Sequence, residues 1–238
     1  MSREMEINVR PVFATPLLVF TIPDHERINK ELRRAVLERE VSTPAEADHE
    51  VVGWSSPHDM SMFDWAGPVM KDLLAPVIEV ATQATEFSER APDLAGKHPG
   101  WQVVETWANV QRKGGSNSTH PHPGTFWSGV YYVDVGDITA GSDTGGDLQL
   151  YDPRGCLPTM LAPFLRYAVP ELHDAGKTIS FTPENGRCVM FPGWLSHSVS
   201  IYRGDAPRIS VAFNLDPVIE EFKDWRFNAP SKTRQGPG

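Results

Sequence analysis

The sequence predicts an α+β fold that is mainly β: a jelly-roll barrel with helices packed on one outer face. Three observations predict it. Helical periodicity is confined to the part of the chain before Trp101, and short strand-like runs between Gly/Pro turns fill the part after it. Seven Trp and 21 Pro suit a loop-rich β fold better than a helical bundle. A length of 238 residues at 40% hydrophobic is enough for one domain with a real core.

In chain order, Val12 to Ile22 reads as a strand. Asp24 is placed to cap a helix from His25 to Glu40, because Ile28, Leu32 and Val36 fall on one stripe and the charges fall elsewhere. Ser42 to His49 is a polar loop, and Val51 to Asp59 is an apolar start followed by turn residues. Met60 to Glu86 reads as helix, with interruptions expected at Pro68 and Pro76. Ser88 to Gly100 is a loop. Strands are then expected over Gln102–Gln111, Ser128–Val135, Asp147–Tyr151, Thr178–Thr182, Cys188–Phe191, Ser198–Tyr202 and Arg208–Leu215. Asp152 to Lys177 is a proline-containing insertion. The organisation expected is a single domain: a strand and helical buttress over 1–100, a β core over 101–216 and a tail over 217–238.

Asp plus Glu outnumber Lys plus Arg, 31 to 22, which argues against a nucleic-acid binder held by a general basic surface. Cys156 and Cys188 have no C-x-x-C partner and make no disulfide framework. The first ten residues are charged, without the apolar run of a signal peptide, and no apolar run reaches membrane-spanning length. A cytoplasmic protein without a membrane partner is expected. Oligomeric state is left open, with a homodimer among the options.

The chemistry concentrates in Thr119 to Tyr132, THPHPGTFWSGVYY. In a strand, residues two apart point to the same face, so His120 and His122 would aim two imidazoles at one point. Neutral imidazole suits iron, zinc, copper and nickel. A third histidine, His197, follows the Pro192-Gly193 turn of GRCVMFPGWLSH. Any one of these residues alone is as well explained by ordinary structure. Arg208 and Ser210 share a strand face in PRISVAFN, and an arginine fork with a hydroxyl beside it suits a carboxylate. The sequence does not show whether that face points inward. Trp107, Phe126, Trp127 and Trp194 lie near the ligands and are candidates for a substrate pocket, with ordinary core packing the competing reading for each. His25, His49, His58, His98 and His173 read as surface residues, His58 being the one to watch because it follows a G-W-S-S element.

Taken together, His120 to Pro123, Ser128 to Val133, Gly146 to Arg154, Phe191 to His197 and Arg208 to Asn214 resemble the Fe(II)- and 2-oxoglutarate-dependent oxygenases of the prolyl-hydroxylase-like superfamily, in a bacterial and phage group of unassigned substrate. Gly53 to Ser56 extends the match upstream. The resemblance implies a double-stranded β-helix, a cupin-like barrel, with the N-terminal helices buttressing the larger sheet. It implies Fe(II) on His120, His122 and His197, and 2-oxoglutarate with its distal carboxylate on Arg208, Ser210 and Tyr132, with Asn109 near co-substrate or substrate. It implies an O2-dependent hydroxylation, with release of succinate and CO2, of a small molecule or protein side chain. The superfamily usually carries H-x-D where this chain has H-x-H, so Asp147 or Asp152 is an alternative to one imidazole. Two other readings stay open. One is a cupin-type three-histidine dioxygenase that uses no 2-oxoglutarate; the other is a non-catalytic jelly-roll that binds metal structurally.

Overall fold

A computed structural model describes residues 13–44, 51–156, 160, 162, 164–165 and 176–218. The expected start of the first strand at Val12, the end of the polar loop, most of the 152–177 insertion, the tail after Val218, His49 and His173 lie outside the described residues.

Two antiparallel sheets face each other, as a double-stranded β-helix requires. The strands are β1 (Leu18–Thr21), β2 (Val51–Val52), β3 (Trp54–Ser55), β4 (Gly100–Gln111), β5 (Ser116–His120), β6 (Trp127–Asp134), β7 (Leu148–Tyr151), β8 (Thr178–Phe181), β9 (Arg187–Pro192), β10 (His197–Val199) and β11 (Arg208–Val218). The larger sheet runs β1-β9-β6-β11-β4-β3 and the smaller β2-β5-β10-β7-β8. The helices are α1 (His25–Ser42), α2 (Met62–Trp65) and α3 (Val69–Gln83). No helix among the described residues is long and apolar enough to cross a membrane.

Alternation along the strands separates two cores. Tyr131, Val133, Cys188, Met190, Ile209, Val211, Phe213 and Leu215 face out from the larger sheet and pack with Ile28, Leu32 and Val36 of α1 and Leu73, Leu74 and Val77 of α3. Each such fully buried aliphatic side chain stabilises by roughly 1.5–3 kcal/mol relative to exposure. Their neighbours Tyr132, Val189 and Phe191 face inward with Leu148, Leu150 and Tyr202. The helices therefore cover the larger sheet, as the family resemblance implies.

Local details depart from expectation. Asp24 sits at the N-terminus of α1 in left-handed geometry without a side-chain cap; its carboxylate accepts from Arg27 Nε at 2.5 Å instead. The helix breaks between Trp65 and Val69, at Gly67-Pro68, whereas Pro76 is carried inside α3. Gly67 has φ +77°, which ends α2 before the proline is reached. The strand under the histidine pair, β5, runs from Ser116 and stops at His120 short of His122, and β10 begins at His197 rather than Ser198. His25 is half-buried rather than on the surface, its ring against Gly186 where a Cβ would stand 2.4 Å away.

Candidate active site

The inward face of the larger sheet is a ladder of register-paired side chains. Arg208 of β11 is opposite Gln111 of β4; Ser210 is flanked by Asn109 and Tyr132; Ala212 is flanked by Trp107 and Val130; Asn214 is flanked by Glu105 and Ser128. Because Ile209, Val211 and Phe213 are committed to the helices, Arg208 and Ser210 must point into the barrel. The question left open by the sequence is thus decided by what the alternate residues pack against.

The smaller sheet brings the histidines to face this ladder. His197 of β10 is the register partner of His120 at the end of β5. His122 lies beyond β5, because Pro121 has no N–H to continue the ladder. Its placement comes from a turn, with His122 N–H donating to Gly193 O at 2.7 Å and Gly193 N–H to Phe126 O at 3.1 Å. The expectation that strand alternation aims both histidines is corrected here: the strand aims His120 and the turn aims His122. The candidate ligand nitrogens of His120, His122 and His197 all lie within 4.8 Å of one another. Ring centroids are 4.5 to 5.1 Å apart.

This donor set fits a divalent transition metal. His120 Nδ1–H donates to Ser118 O at 2.8 Å and His197 Nδ1–H to Leu195 O at 2.9 Å. That tautomer leaves the lone pair on Nε2, the usual arrangement for a metal-binding imidazole. Burial pushes His122 down to about 3, helped by the neighbouring histidines. Burial also pushes His197 down to about 4, against the hydrogen bond to Leu195. Both are neutral at pH 7, as ligation needs. Asp152 does not replace an imidazole: its carboxylate accepts from Arg154 N–H at 2.9 Å and Gly176 N–H at 2.6 Å, closing the insertion at its base. Asp147 is also outside the cluster.

A cavity of about 110 Å³ connects the two sides, lined by the three histidines together with Trp107, Asn109, Tyr132, Arg208 and Ser210. Arg208 is 1% exposed. Its Nη1 donates to Gln111 Oε1 at 2.8 Å, and its Nε has no partner. Tyr132 Oη and Asn109 Oδ1 are likewise buried without partners. Burial pulls the Arg208 pKa down, against Tyr132, Asp147 and Tyr202, and pushes the Tyr132 phenol up. Among the described residues no carboxylate is in ion-pair contact with Arg208, and a buried guanidinium in that state is costly on its own and suits an anionic ligand.

Of the four aromatic residues expected to wall the pocket, Trp107 does so, with His58 stacked on it at 4.2 Å. Trp127 does not: it is an outward residue of β6, five positions from inward Tyr132, and its Nε1 donates to Thr85 Oγ1 at 3.0 Å. Phe126 and Trp194 are 47% and 53% exposed, outside the cavity lining. Sequence reasoning missed Gln111, Asn117, Ser128 and Asn214. Ser128 and Asn214 stand at the ends of the Ser128–Val133 and Arg208–Asn214 motifs without a role read there, and Gln111 and Asn117 form no local motif; the register of β4 on β11 is what marks Gln111 and Asn214 as inward.

Behind His122 two hydrogen-bonded groups meet. Asn214 Nδ2 donates to Glu105 Oε1 at 2.5 Å, and Ser128 Oγ donates to Asn214 Oδ1 at 2.6 Å. Thr125 Oγ1 stands 3.3 Å from Ser128 Oγ and donates to His122 O at 3.0 Å.

Residues 105–214, which contain the histidines and the whole inward ladder, match the family described as "Putative 2OG-Fe(II) oxygenase". The match spans just under half of the chain, and over it the protein is similar to the 2OG-Fe(II) oxygenases. The oxygenase resembles a prolyl hydroxylase from Trichoplax adhaerens in complex with a hypoxia inducible factor peptide fragment (TM-score 0.55, 13% identity, 84% of this chain and 83% of that one). It also resembles a Pseudomonas putida prolyl-4-hydroxylase (0.52, 11%, 83% and 91%). A third is a viral collagen prolyl hydroxylase of Paramecium Bursaria Chlorella virus-1 in its 2OG complex (0.51, 8%, 85% and 96%). At these identities the likeness is one of fold. No curated protein matches the oxygenase in sequence. The family's cofactors are Fe(II) and 2-oxoglutarate, and the match supports an enzyme of the oxygenase class.

Proposed function

We propose that the oxygenase hydroxylates its substrate with O2, converting 2-oxoglutarate to succinate and CO2. In this reading His120, His122 and His197 hold Fe(II), and Arg208 binds the distal carboxylate of 2-oxoglutarate. The observation that carries it is the position of Arg208: a buried cation with an unpartnered Nε at one end of a cavity whose other end holds three clustered histidines. A ligand with a metal-chelating 2-oxo acid at one end and a carboxylate at the other fits both.

When bound, iron and the 2-oxo acid supply the oxidising chemistry. The chain's own residues supply placement and dryness. Tyr132 Oη, Asn109 and Ser210 offer polar groups beside Arg208 for the co-substrate. Trp107 and Phe191 wall the metal side and exclude water, with Phe191 4.6 Å from the His197 ring. The substrate approaches past His58 and Trp107. The similar structures are prolyl hydroxylases, one holding a peptide, so prolyl peptides are the first substrates to try, ahead of free amino acids.

The test is an anaerobic titration of metal-free protein with Fe(II) and then 2-oxoglutarate, read by the visible charge-transfer band of a chelated 2-oxo acid. A band that needs both components is the expected result. Iron binding without a band would overturn this reading in favour of a three-histidine dioxygenase that does not use 2-oxoglutarate.

A further inference from the structure

We infer that Gln111 is a positioning and specificity residue for the co-substrate: it orients the Arg208 guanidinium without neutralising it, and so reserves that buried charge for a dicarboxylate 2-oxo acid. The inference rests on the reading of Arg208 as the carboxylate anchor.

The orientation of the Gln111 amide follows from donor counting. A guanidinium has only donors, so the 2.8 Å contact with Arg208 must be made by Gln111 Oε1. Gln111 Nε2 is then the donor in the 2.5 Å contact with Asn117 Oδ1. Gln111 is 0% exposed and stands opposite Arg208 in the β4–β11 register. Asn117 belongs to the other sheet, between Val51 and Val199. The Arg208–Gln111–Asn117 relay therefore ties the anchor to both walls of the barrel.

The choice of an amide matters for charge. A glutamate at position 111 would form a buried ion pair with Arg208 and satisfy it internally. Among the described residues no carboxylate is in ion-pair contact with Arg208; Asp147 acts on it only from a greater distance. Gln111 holds one edge of the fork by a single hydrogen bond, while Nε stays without a partner. The anchor is rigid and still carries its charge, which is the condition for a site that prefers 2-oxoglutarate over a 2-oxo acid with no second carboxylate.

The test compares anaerobic, Fe(II)-loaded protein titrated with 2-oxoglutarate and with pyruvate, by the charge-transfer band and by calorimetry, alongside thermal melting of each variant. Gln111→Glu is expected to weaken 2-oxoglutarate binding by roughly tenfold or more, to leave pyruvate binding unchanged, and to melt no lower than wild type. Gln111→Leu keeps the charge but frees the fork; it is expected to weaken 2-oxoglutarate less than Gln111→Glu does, and to melt lower. A purely structural glutamine predicts loss of both 2-oxo acids together with the melting temperature, and that pattern overturns the inference. So does wild-type 2-oxoglutarate affinity in Gln111→Glu. Should that variant not fold, Asn117→Leu releases the Gln111 amide, and 2-oxoglutarate weakening without pyruvate weakening is again required. Arg208→Ala separates the two levels. If it binds 2-oxoglutarate like wild type, the anchor reading itself falls; if it loses binding while the Gln111 variants do not, only the role of Gln111 falls.

Discussion

His120 and His197 are register partners on adjacent strands of the smaller sheet, and their ring centroids stand 4.5 Å apart. Backbone pairing therefore fixes two candidate ligands, whereas His122 depends on a turn tied to Gly193.

Metal binding should accordingly stabilise the fold and tolerate change unequally. Fe(II) at a hundred times its Kd should raise stability by about 2.7 kcal/mol, seen as a higher melting temperature. His197→Ala should abolish most of that shift, because it removes a ligand on a buried strand. His122→Asp should retain it, since a carboxylate is the residue the wider superfamily carries there. Melting of the metal-free and iron-loaded variants under anaerobic conditions checks this; an undiminished shift in His197→Ala would remove His197 from the ligand set.

Asp152 should make stability depend on acid. Burial by itself would push its carboxyl up, but the Arg154 guanidinium and the N–H groups of Gly176 and Arg154 outweigh this and hold it down to about 2. Its ordinary value is 3.8. The carboxylate's contribution is thus fully present above about pH 4 and is lost as the pH falls through about 2. Asp152→Asn should cost about 1–2 kcal/mol at neutral pH, where a charged acceptor is replaced by a neutral one. Denaturant melts of wild type and variant from pH 7 to pH 3 should show the gap narrowing only at the acid end. A gap independent of pH would mean that the ionised carboxylate is not what closes the insertion.

Much of this was legible in the residues. Ile28, Leu32 and Val36 announced the buried stripe of α1, and the order of short strands announced the barrel. Alternation held more than was taken from it: Trp127 and Tyr132 are an odd number of positions apart on β6, so one faces the helices when the other faces the cavity. What local pattern could not give was inward or outward sense, because Arg208 and Ser210 alternate with Ile209 and Val211 whichever way the sheet faces. That sense is set by α1 and α3, far away in the chain. Gln111 and Asn214 were illegible for the same reason: each acts through a partner supplied by register, not by sequence neighbours.

Asn214 illustrates what such a residue should do. It is 0% exposed, donates to Glu105 and accepts from Ser128, whose Oγ lies 3.3 Å from Thr125 Oγ1, the donor to the backbone carbonyl of His122. Asn214→Leu would leave the Glu105 carboxylate and the Ser128 hydroxyl without this partner, at a cost of about 1–3 kcal/mol. It should also loosen the one ligand that no strand holds, weakening iron binding by about tenfold, the low end for residues that orient metal ligands. Ser128→Ala removes the group that stands between Asn214 and Thr125 while sparing the Asn214–Glu105 bond, so it should weaken iron similarly with a smaller loss of stability. Thr125→Ser keeps the hydroxyl and should bind iron as wild type does. Iron titration of the three variants beside their denaturant melts makes the comparison. Iron affinity that simply follows stability across the set would reduce Asn214 to a packing residue, whereas a loss in Ser128→Ala out of proportion to its melt places the Ser128–Thr125 contact in the service of His122.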